Sequence, residues 1–566
     1  MGSLDTLTII IFSLVVFITG ISFSKSGKNI KSFFSAGGAV PWWINGLSLY
    51  MSFFSVGTFV VWGSIAYSHG LVAITIQSTM CLAGLAVGFL IAPRWNQTKT
   101  ITAAQFISER LGENTQKLYT YLFLAISMFT TGAFLYPVAK IIEVSTGMSL
   151  PLIIILLGGL ITIYTATGGL WAVLVTDVLQ FIVLTAAVLI VVPLALEEVN
   201  GISGFINKAP TDFFALQNED YTWSFIFAFG LYNMIYIGGN WAYVQRYTSV
   251  ARPKDAKKVG WTFGILYLVS PLVWMLPPMI YKVLNPDLQG LADEGAYLMM
   301  CKEVLPVGLL GLILGGMIFA TASSVNSTLN IAAGVFTNDL YKRIRPGASN
   351  NETMRIARLA TAIFGALTII IALMVQRMGG IVEVVLSVAA ITGSAMFLPP
   401  IWALFSKRQN GSSIFSATVI SLIINLFFKF LAPVLFDLSL SRAQEMILGV
   451  FCPVLVLAAF EVIFYLNKYH NQSYLIYQDI QNSKKDFEEE TSEGEDNLHG
   501  KKVIAKGIIA IGIMMIVLGF LSENAWLLVS GMGMVICITG MAILLISTKN
   551  QLSTLKGEIR DSRDIL

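Results

Sequence analysis

Long apolar stretches recur along the whole chain, and they constrain its fold more than any other feature. About fifteen stretches of roughly 18 to 25 residues are long enough to cross a bilayer core of about 30 Å as helices. They lie at about 5–23, 45–67, 72–93, 115–142, 149–167, 170–197, 222–244, 258–281, 305–336, 356–376, 382–405, 412–433, 443–466, 504–521 and 525–547. Only 12% of the residues are charged, about half the share of a soluble globular protein. The pattern predicts an all-α polytopic protein embedded in a lipid bilayer.

Positive charge is distributed unevenly between the two sets of loops. If the N-terminus lies outside, 29 of the 36 Lys and Arg residues fall on the cytoplasmic side and 7 on the other. This asymmetry is the one that the positive-inside rule predicts. The first apolar stretch has no basic residues before it and no cleavage site after it, so it reads as a retained helix rather than a signal peptide. We expect a multi-pass protein of the plasma (inner) membrane with its N-terminus outside and its C-terminus in the cytoplasm.

Several function classes find no support in the composition. A net charge of +3 is too small to indicate nucleic-acid binding. The four cysteines and three histidines are scattered, without metal-ligand or disulfide spacing. A membrane enzyme is not indicated either, because the sequence shows no paired catalytic carboxylates and no nucleophile motif. The one long polar stretch, 467–502, is acidic and poor in apolar residues, which predicts a disordered cytoplasmic loop rather than a signalling domain.

Polar side chains interrupt two of the apolar stretches. In the second, Gly57 lies mid-span among serines and Thr58, which is typical of the broken helices that build ion and substrate sites in transporters. In the ninth, residues 320, 323, 324 and 327 fall on one helix face, and their side chains there include three serines. Oxygen atoms on such a stripe suit a sodium ion. Close packing of helices through small residues explains both patterns equally well.

An aspartate lies inside the sixth stretch. Gly168 and Gly169 mark the cytoplasmic start of that helix, and a rise of 1.5 Å per residue places Asp177 about 12 Å inward. An ionisable group at membrane depth indicates a functional site. The alternative is a structural aspartate that accepts hydrogen bonds from neighbouring hydroxyls or backbone.

The seventh stretch contains Asn233, Tyr236, Gly238, Gly239 and Asn240. Amides, a ring face and a hydroxyl suit a polyhydroxylated ligand, although they suit hydrogen bonding between helices as well. The two glycine-interrupted stretches, the second and the seventh, are five helices apart. That spacing indicates inverted repeats of helices two to six and seven to eleven, the arrangement of alternating-access transporters.

Four ordered motifs extend these observations. Residues 33–43 read FFSAGGAVPWW, residues 164–172 read YTATGGLWA, residues 176–180 read TDVLQ and residues 337–342 read TNDLYK. In their order and spacing, over about 30–410, they resemble the motifs of the sodium:solute symporters. The resemblance implies a five-plus-five inverted-repeat (LeuT-type) core with one extra N-terminal helix and about four C-terminal helices. The implied boundaries are 1–30 for the extra helix and linker start, 31–406 for the core, 407–466 for C-terminal helices, 467–502 for the acidic loop, 503–548 for the last two helices and 549–566 for the tail.

The resemblance also implies a common sodium site. Carbonyls at the break of the first core helix match Met51 and Phe54, and two carbonyls and a hydroxyl of the eighth core helix match Ala320, Ser323 and Ser324. A second sodium site of some members matches Asp177 and Ser327, whereas Asn326 departs from the serine found there. Na⁺ is therefore the expected co-transported ion.

The expected solute positions follow from the same resemblance. They are Ser55, Thr58, Gln77, Asn233 and Tyr236, and Tyr267 departs from a binding lysine of the galactose branch. The interpretation is a sodium-coupled symporter that imports a small polar solute, a sugar or sugar derivative, by alternating access as a monomeric unit. Two alternatives stay open at this point: symport of an amino or organic acid, and a transporter-like solute sensor.

Overall fold

The structure is a computed structural model that describes residues 2–22, 38, 40–53, 55–100, 102–165, 170–288, 290–341, 344–378, 381–486, 495–522 and 525–564. Within these ranges the chain is almost entirely helical and contains no strand. Ten described helices are long and apolar enough to cross a membrane, or eleven if one bent pair forms a single span. Each predicted stretch overlaps a helix, which confirms the all-α class, while the number of fifteen spans stays a prediction.

We number the helices in chain order. The first half holds α1 Ser3–Ile21, α2 Trp42–Phe53, α3 Thr58–His69, α4 Leu71–Gln97, α5 Ala103–Leu111, α6 Glu113–Thr146, α7 Leu150–Thr165, α8 Leu170–Glu198, α9 Gly201–Lys208, α10 Trp223–Gly239 and α11 Trp241–Thr248. The second half holds α12 Pro253–Leu284, α13 Ala296–Val304, α14 Leu309–Val335, α15 Asn350–Met374, α16 Ile381–Phe405, α17 Gly411–Phe436, α18 Arg442–Leu466, α19 Gln472–Asp486, α20 Glu495–Phe520 and α21 Trp526–Asp564.

The core helices pack as two groups. In the first helix group (α2, α3, α4, α10, α11 and α12), α4 lies along both α10 and α12, and α12 lies along α2. In the second helix group (α6, α7, α14 and α15), α6 lies along α14 and α15, and α7 packs on α15. Helix α8 contacts α2 on one side and α14 on the other. The site described below lies where the two groups face each other.

Both predicted helix breaks are present. The axes of α2 and α3 differ by 55°, and α10 ends at Gly239, where Asn240 begins α11. Gly57 has ordinary helical torsions, so the first break does not depend on a glycine conformation. Gly239 is needed for space instead, because a Cβ atom there would lie 2.8 Å from the Phe397 carbonyl oxygen on α16.

The prediction of a disordered loop at 467–502 is wrong for 472–486 and 495–502, which form α19 and the start of α20. Helix α19 docks on α5, where Lys484 Nζ lies 2.7 Å from Glu109 Oε2. The rings of Tyr474 and Tyr477, one turn apart, cover the Arg110 guanidinium at 4.8 and 5.9 Å. The composition did not predict this helix, because only one narrow face of it, which bears the two tyrosine rings, packs against the rest of the protein. Residues 487–494 of the acidic run lie outside the described part.

Candidate functional site

A cavity of about 190 Å³ lies between the two helix groups. A cavity of 150 Å³ already holds benzene, so this one has room for a small organic molecule. Its wall includes these residues of the predicted sites: Ser55, Thr58, Asp177, Asn233, Tyr236 and Ser324. Met51, Gln77 and Ala320 are buried but do not line it. Phe54 and the side chains of Ser323 and Ser327 lie outside the described part.

The break between α2 and α3 leaves backbone N–H groups that a continuous helix would have paired. Side-chain oxygens accept all three of those that follow residue 54. The Ser55 N–H donates to Thr58 Oγ1 at 3.3 Å, and the Gly57 N–H donates to Ser55 Oγ at 3.2 Å. The Val56 N–H donates across to Thr321 Oγ1 of α14 at 3.1 Å. Because buried N–H groups without partners are costly, these three hydrogen bonds stabilise the broken conformation.

The hydrogen bonds on the carbonyl side of the break also differ from those of a continuous helix. In a continuous helix the Ser55 N–H would donate to the Met51 carbonyl, but here it donates to Thr58. The Thr58 hydroxyl in turn donates to the Phe53 carbonyl at 3.0 Å. The Met51 oxygen therefore does not receive the Ser55 N–H that a continuous helix would direct to it. Thr58, predicted to contact solute, also holds the break together.

Helix α14 presents hydroxyls to the same cavity. The Ser324 hydroxyl donates to the Ala320 carbonyl at 3.3 Å, and the Thr328 hydroxyl donates to the Ser324 carbonyl at 3.0 Å. The Ser324 oxygen acts as a donor in this bond, so its acceptor lone pairs are not used by it. Ser324 and Thr328 both line the cavity, so the fold puts this hydroxyl stripe opposite the break.

Asp177 lies at one end of the cavity in a buried polar cluster. Its Oδ2 accepts the Ser48 hydroxyl at 2.6 Å, and the same Ser48 oxygen accepts the Arg246 Nε–H at 3.4 Å. Asp177 and Arg246 are 4% and 2% exposed. The sequence around Asp177 contains no basic residue, yet the fold places an arginine of α11 close to it. The hydrogen-bonded aspartate that we considered as the alternative is therefore observed, alongside exposure of Asp177 to the cavity.

Aromatic rings form much of the remaining wall. The Tyr236 ring packs edge-on against Phe53 and Phe397, with centroids 5.8 and 5.3 Å apart. Tyr243 packs edge-on against Tyr236 at 5.6 Å. Such faces suit the apolar side of a solute.

The polar solute residues lie beside these rings. The Asn233 amide nitrogen donates to Thr79 Oγ1 at 3.3 Å, and Asn233 lines the cavity. The Gln77 amide nitrogen is buried and has no hydrogen-bond partner among the described residues. A buried donor of this kind calls for a partner, although Gln77 itself does not line the cavity.

The second break differs from the first. Two of its freed carbonyls are taken by side chains: Trp95 Nε1 donates to the Gly238 oxygen at 2.7 Å, and the Tyr247 hydroxyl donates to the Ile237 oxygen at 3.0 Å. The Asn240 side chain caps α11 by accepting the Ala242 N–H at 3.0 Å. Side chains thus take two carbonyls at the second break, whereas at the first break the Thr58 hydroxyl takes the Phe53 carbonyl.

Sequence reasoning missed three residues of the site: Ser48, Arg246 and Thr321. Ser48 and Thr321 lie within the polar stretches that drew attention, but only the fold shows which partners they meet. Arg246 is a basic residue directly after a broken apolar stretch, which was a usable signal for a buried charge.

Comparisons with known proteins agree with this geometry. The model of the sodium:solute symporter family matches residues 33–421. Sodium/glucose cotransporter 1 of Ovis aries is 26% identical over 468 residues, which cover 74% of this chain and 70% of that protein. Sodium/myo-inositol cotransporter 2 of Sus scrofa is 26% identical over 470 residues, covering 75% and 69%.

A solved structure shares the fold. A Na⁺-coupled sialic acid symporter in a substrate-bound outward-open state superposes with a TM-score of 0.69 at 21% identity, covering 81% of this chain and 98% of that one. The LeuT-type transporter fold expected from the sequence is thereby confirmed, while the five-plus-five helix count of its core stays a prediction. With a family model matched over most of the chain and this fold around a broken-helix cavity, the protein belongs to the sodium:solute symporter family.

Proposed function

We propose that this protein imports a small, neutral, polyhydroxylated solute together with Na⁺ by alternating access. The observation that carries the proposal is the α2–α3 break, where the Ser55 N–H donates to Thr58 and not to the Met51 carbonyl, beside a ring-walled cavity that Ser324 also lines. Similarity to sodium/glucose and sodium/myo-inositol cotransporters supports the choice of solute.

The ion site favours sodium on chemical grounds. The predicted ligands are carbonyl and hydroxyl oxygens, which are hard ligands for hard cations. The set contributed by Met51, Phe54, Ala320, Ser323 and Ser324 carries no net charge, which fits a monovalent ion. Ligands from α2 and α14 belong to different helix groups. Binding of the ion therefore stabilises one relative position of the two groups, and this is how an ion gradient is coupled to a conformational change.

The charge of the cavity favours a neutral solute. Among the described lining residues, Asp177 and Arg246 are the charged ones, and Ser48 links them. An acidic solute would need a positively charged side chain that is not already paired with a carboxylate, because desolvating a charge without a partner is costly. A neutral sugar or polyol instead places its apolar face on the Tyr236 ring and its hydroxyls toward Asn233.

The driving force is sufficient for concentrative uptake. A potential of 100 mV contributes about 2.3 kcal/mol per charge, and a tenfold sodium gradient adds about 1.4 kcal/mol. One Na⁺ per cycle thus supports accumulation of roughly a few hundredfold, and two would about square that ratio. We place the transporter in the plasma membrane as a monomeric unit, with the end bearing α5 and α19 in the cytoplasm, on the strength of the loop charges.

A second sodium at Asp177 and Ser327 is a testable part of the proposal. If it binds there, Asp177→Asn should lower the number of sodium ions per solute, as measured from reversal potentials or from paired ²²Na⁺ and solute fluxes. An unaltered ratio in an active mutant would mean that one ion drives the cycle.

A thermal-shift screen of the purified protein tests the whole proposal. Neutral sugars, polyols, sugar acids and amino acids are added in NaCl or in equimolar choline chloride. We expect stabilisation by a neutral polyhydroxylated compound, larger in NaCl than in choline chloride. Stabilisation by an acid instead would overturn the solute class, and a hit that is indifferent to Na⁺ would overturn the coupling.

A further inference from the structure

One hydrogen bond joins the two helix groups directly at the break. Val56 on the first group donates its N–H to Thr321 Oγ1 on α14 of the second group at 3.1 Å. Both residues are 0% exposed. The neighbouring Ser55 and Gly57 N–H groups find their acceptors within the break itself. Among the N–H groups of residues 55 to 57, that of Val56 is therefore the one accepted by the other helix group.

The position of this bond in the site gives it a further role. Thr321 follows the predicted ligand Ala320 and precedes Ser324 by three residues, while Val56 follows Met51 by five. The bond thus ties the backbone that carries one half of the proposed sodium ligands to the helix that carries the other half. Thr321 is not among the residues that line the cavity, and its oxygen already accepts the Val56 N–H, so its role in this inference is to position the ligands and not to be one of them.

We propose that Thr321 is a positioning residue of the sodium site, setting the separation between the α2 carbonyls and the α14 hydroxyl. The inference rests on the proposed function. It implies that sodium binding and the Thr321–Val56 bond favour the same arrangement of the two groups, so that losing one weakens the other. A buried hydrogen bond of ordinary strength corresponds to roughly a fivefold to tenfold change in a dissociation constant.

The test compares Thr321→Val, which keeps the shape and removes the acceptor, with Thr321→Ser, which keeps it. We expect Thr321→Val to raise the sodium concentration for half-maximal uptake about fivefold to tenfold, with little change in solute KM at saturating Na⁺. Thr321→Ser should stay within about twofold of wild type. Thr418→Val is the matched control: Thr418 is also 0% exposed and lies 2.6 Å from the Tyr119 hydroxyl on α6, away from the cavity.

The outcomes separate the inference from the proposed function. Wild-type uptake without sodium dependence contradicts the proposed function, whatever Thr321 does. Sodium-dependent wild type with unchanged sodium affinity in Thr321→Val contradicts the inference, as does a loss that Thr418→Val shares or Thr321→Ser fails to rescue. If Thr321→Val does not accumulate, hydrogen exchange of the Val56 amide in wild type decides: slower exchange on adding Na⁺ supports the inference, and equal exchange overturns it.

Discussion

The buried charges at the end of the cavity lead to a quantitative prediction. Asp177 Oδ2 and Arg246 Nε contact the same Ser48 oxygen, at 2.6 and 3.4 Å. They are therefore at most about 6 Å apart. With an effective dielectric constant of about 20, opposite charges at that separation attract by about 3 kcal/mol. Either charge alone would remain buried without compensation, and breaking a buried pair from one side typically costs about 3 to 5 kcal/mol.

A double-mutant cycle measures this coupling. We expect Asp177→Asn and Arg246→Gln each to lower the free energy of unfolding by about 3 kcal/mol or more, since each leaves one charge unpaired. The double mutant should lose much less than the sum, because it leaves no buried charge. Equilibrium unfolding in SDS–detergent mixtures gives the four free energies, and the coupling energy should be about 3 kcal/mol.

The cycle has a clear contrary result. If the two losses add within about 0.5 kcal/mol, the charges act independently, and the cavity would then contain an uncompensated charge. That outcome would also remove the argument for a neutral solute. Ser48→Ala provides a check on geometry, because it deletes the bridging hydroxyl but keeps both charges, and it should cost about 1.5 to 3 kcal/mol, the range for hydrogen bonds to charged groups.

Three further predictions test separate parts of the site and its surroundings. Ser324→Ala should raise the sodium concentration for half-maximal uptake by roughly tenfold, since a hydroxyl ligand to a charge is lost; unchanged sodium dependence would contradict the site assignment. Tyr236→Ala should raise solute KM by roughly tenfold while Tyr236→Phe keeps the ring contacts, and wild-type affinity in the alanine variant would take Tyr236 out of the pocket. Glu294, outside the spans, has a pKa raised by burial, so its contribution to stability is fully present below the ordinary pKa and is lost as pH rises through the raised one. Glu294→Gln should flatten the pH dependence of the melting temperature above the ordinary pKa, and an unchanged profile would contradict this.

The sequence predicts the class and the repeat well because a bilayer imposes a simple requirement. Every span must satisfy its own backbone, so length and apolarity identify helices directly. The places where that requirement fails, the polar and glycine-containing stretches, are therefore visible too. The sequence did not predict helix α19, because this helix is not a membrane span and the requirement does not apply to it. Its docking depends on Tyr474 and Tyr477 meeting Arg110, a contact between segments more than 300 residues apart that composition cannot show.

Within the site, residue types were predictable and partners were not. A serine or threonine at membrane depth can hydrogen-bond to neighbouring groups, fill space between helices or bind a ligand. The sequence does not distinguish these three roles. Ser48 illustrates this: it stood in the stretch expected to bind sodium, and its hydroxyl instead donates to Asp177. The sequence likewise does not show the partners of Arg246, which the turn after α10 brings to Ser48 and Asp177.

The two helix breaks show why a broken helix alone does not specify a ligand site. Each break frees carbonyls, and the surrounding side chains decide whether they remain free. At the second break, Trp95 and Tyr247 donate to two of them, so hydrogen bonds hold that corner beside the cavity. At the first, the donors near the carbonyls are directed elsewhere: Ser55 N–H goes to Thr58 and Val56 N–H to Thr321. We therefore expect the ion at the α2–α3 break and the solute beside α10, in line with the proposed function, so that each half of the repeat would bind one of the two.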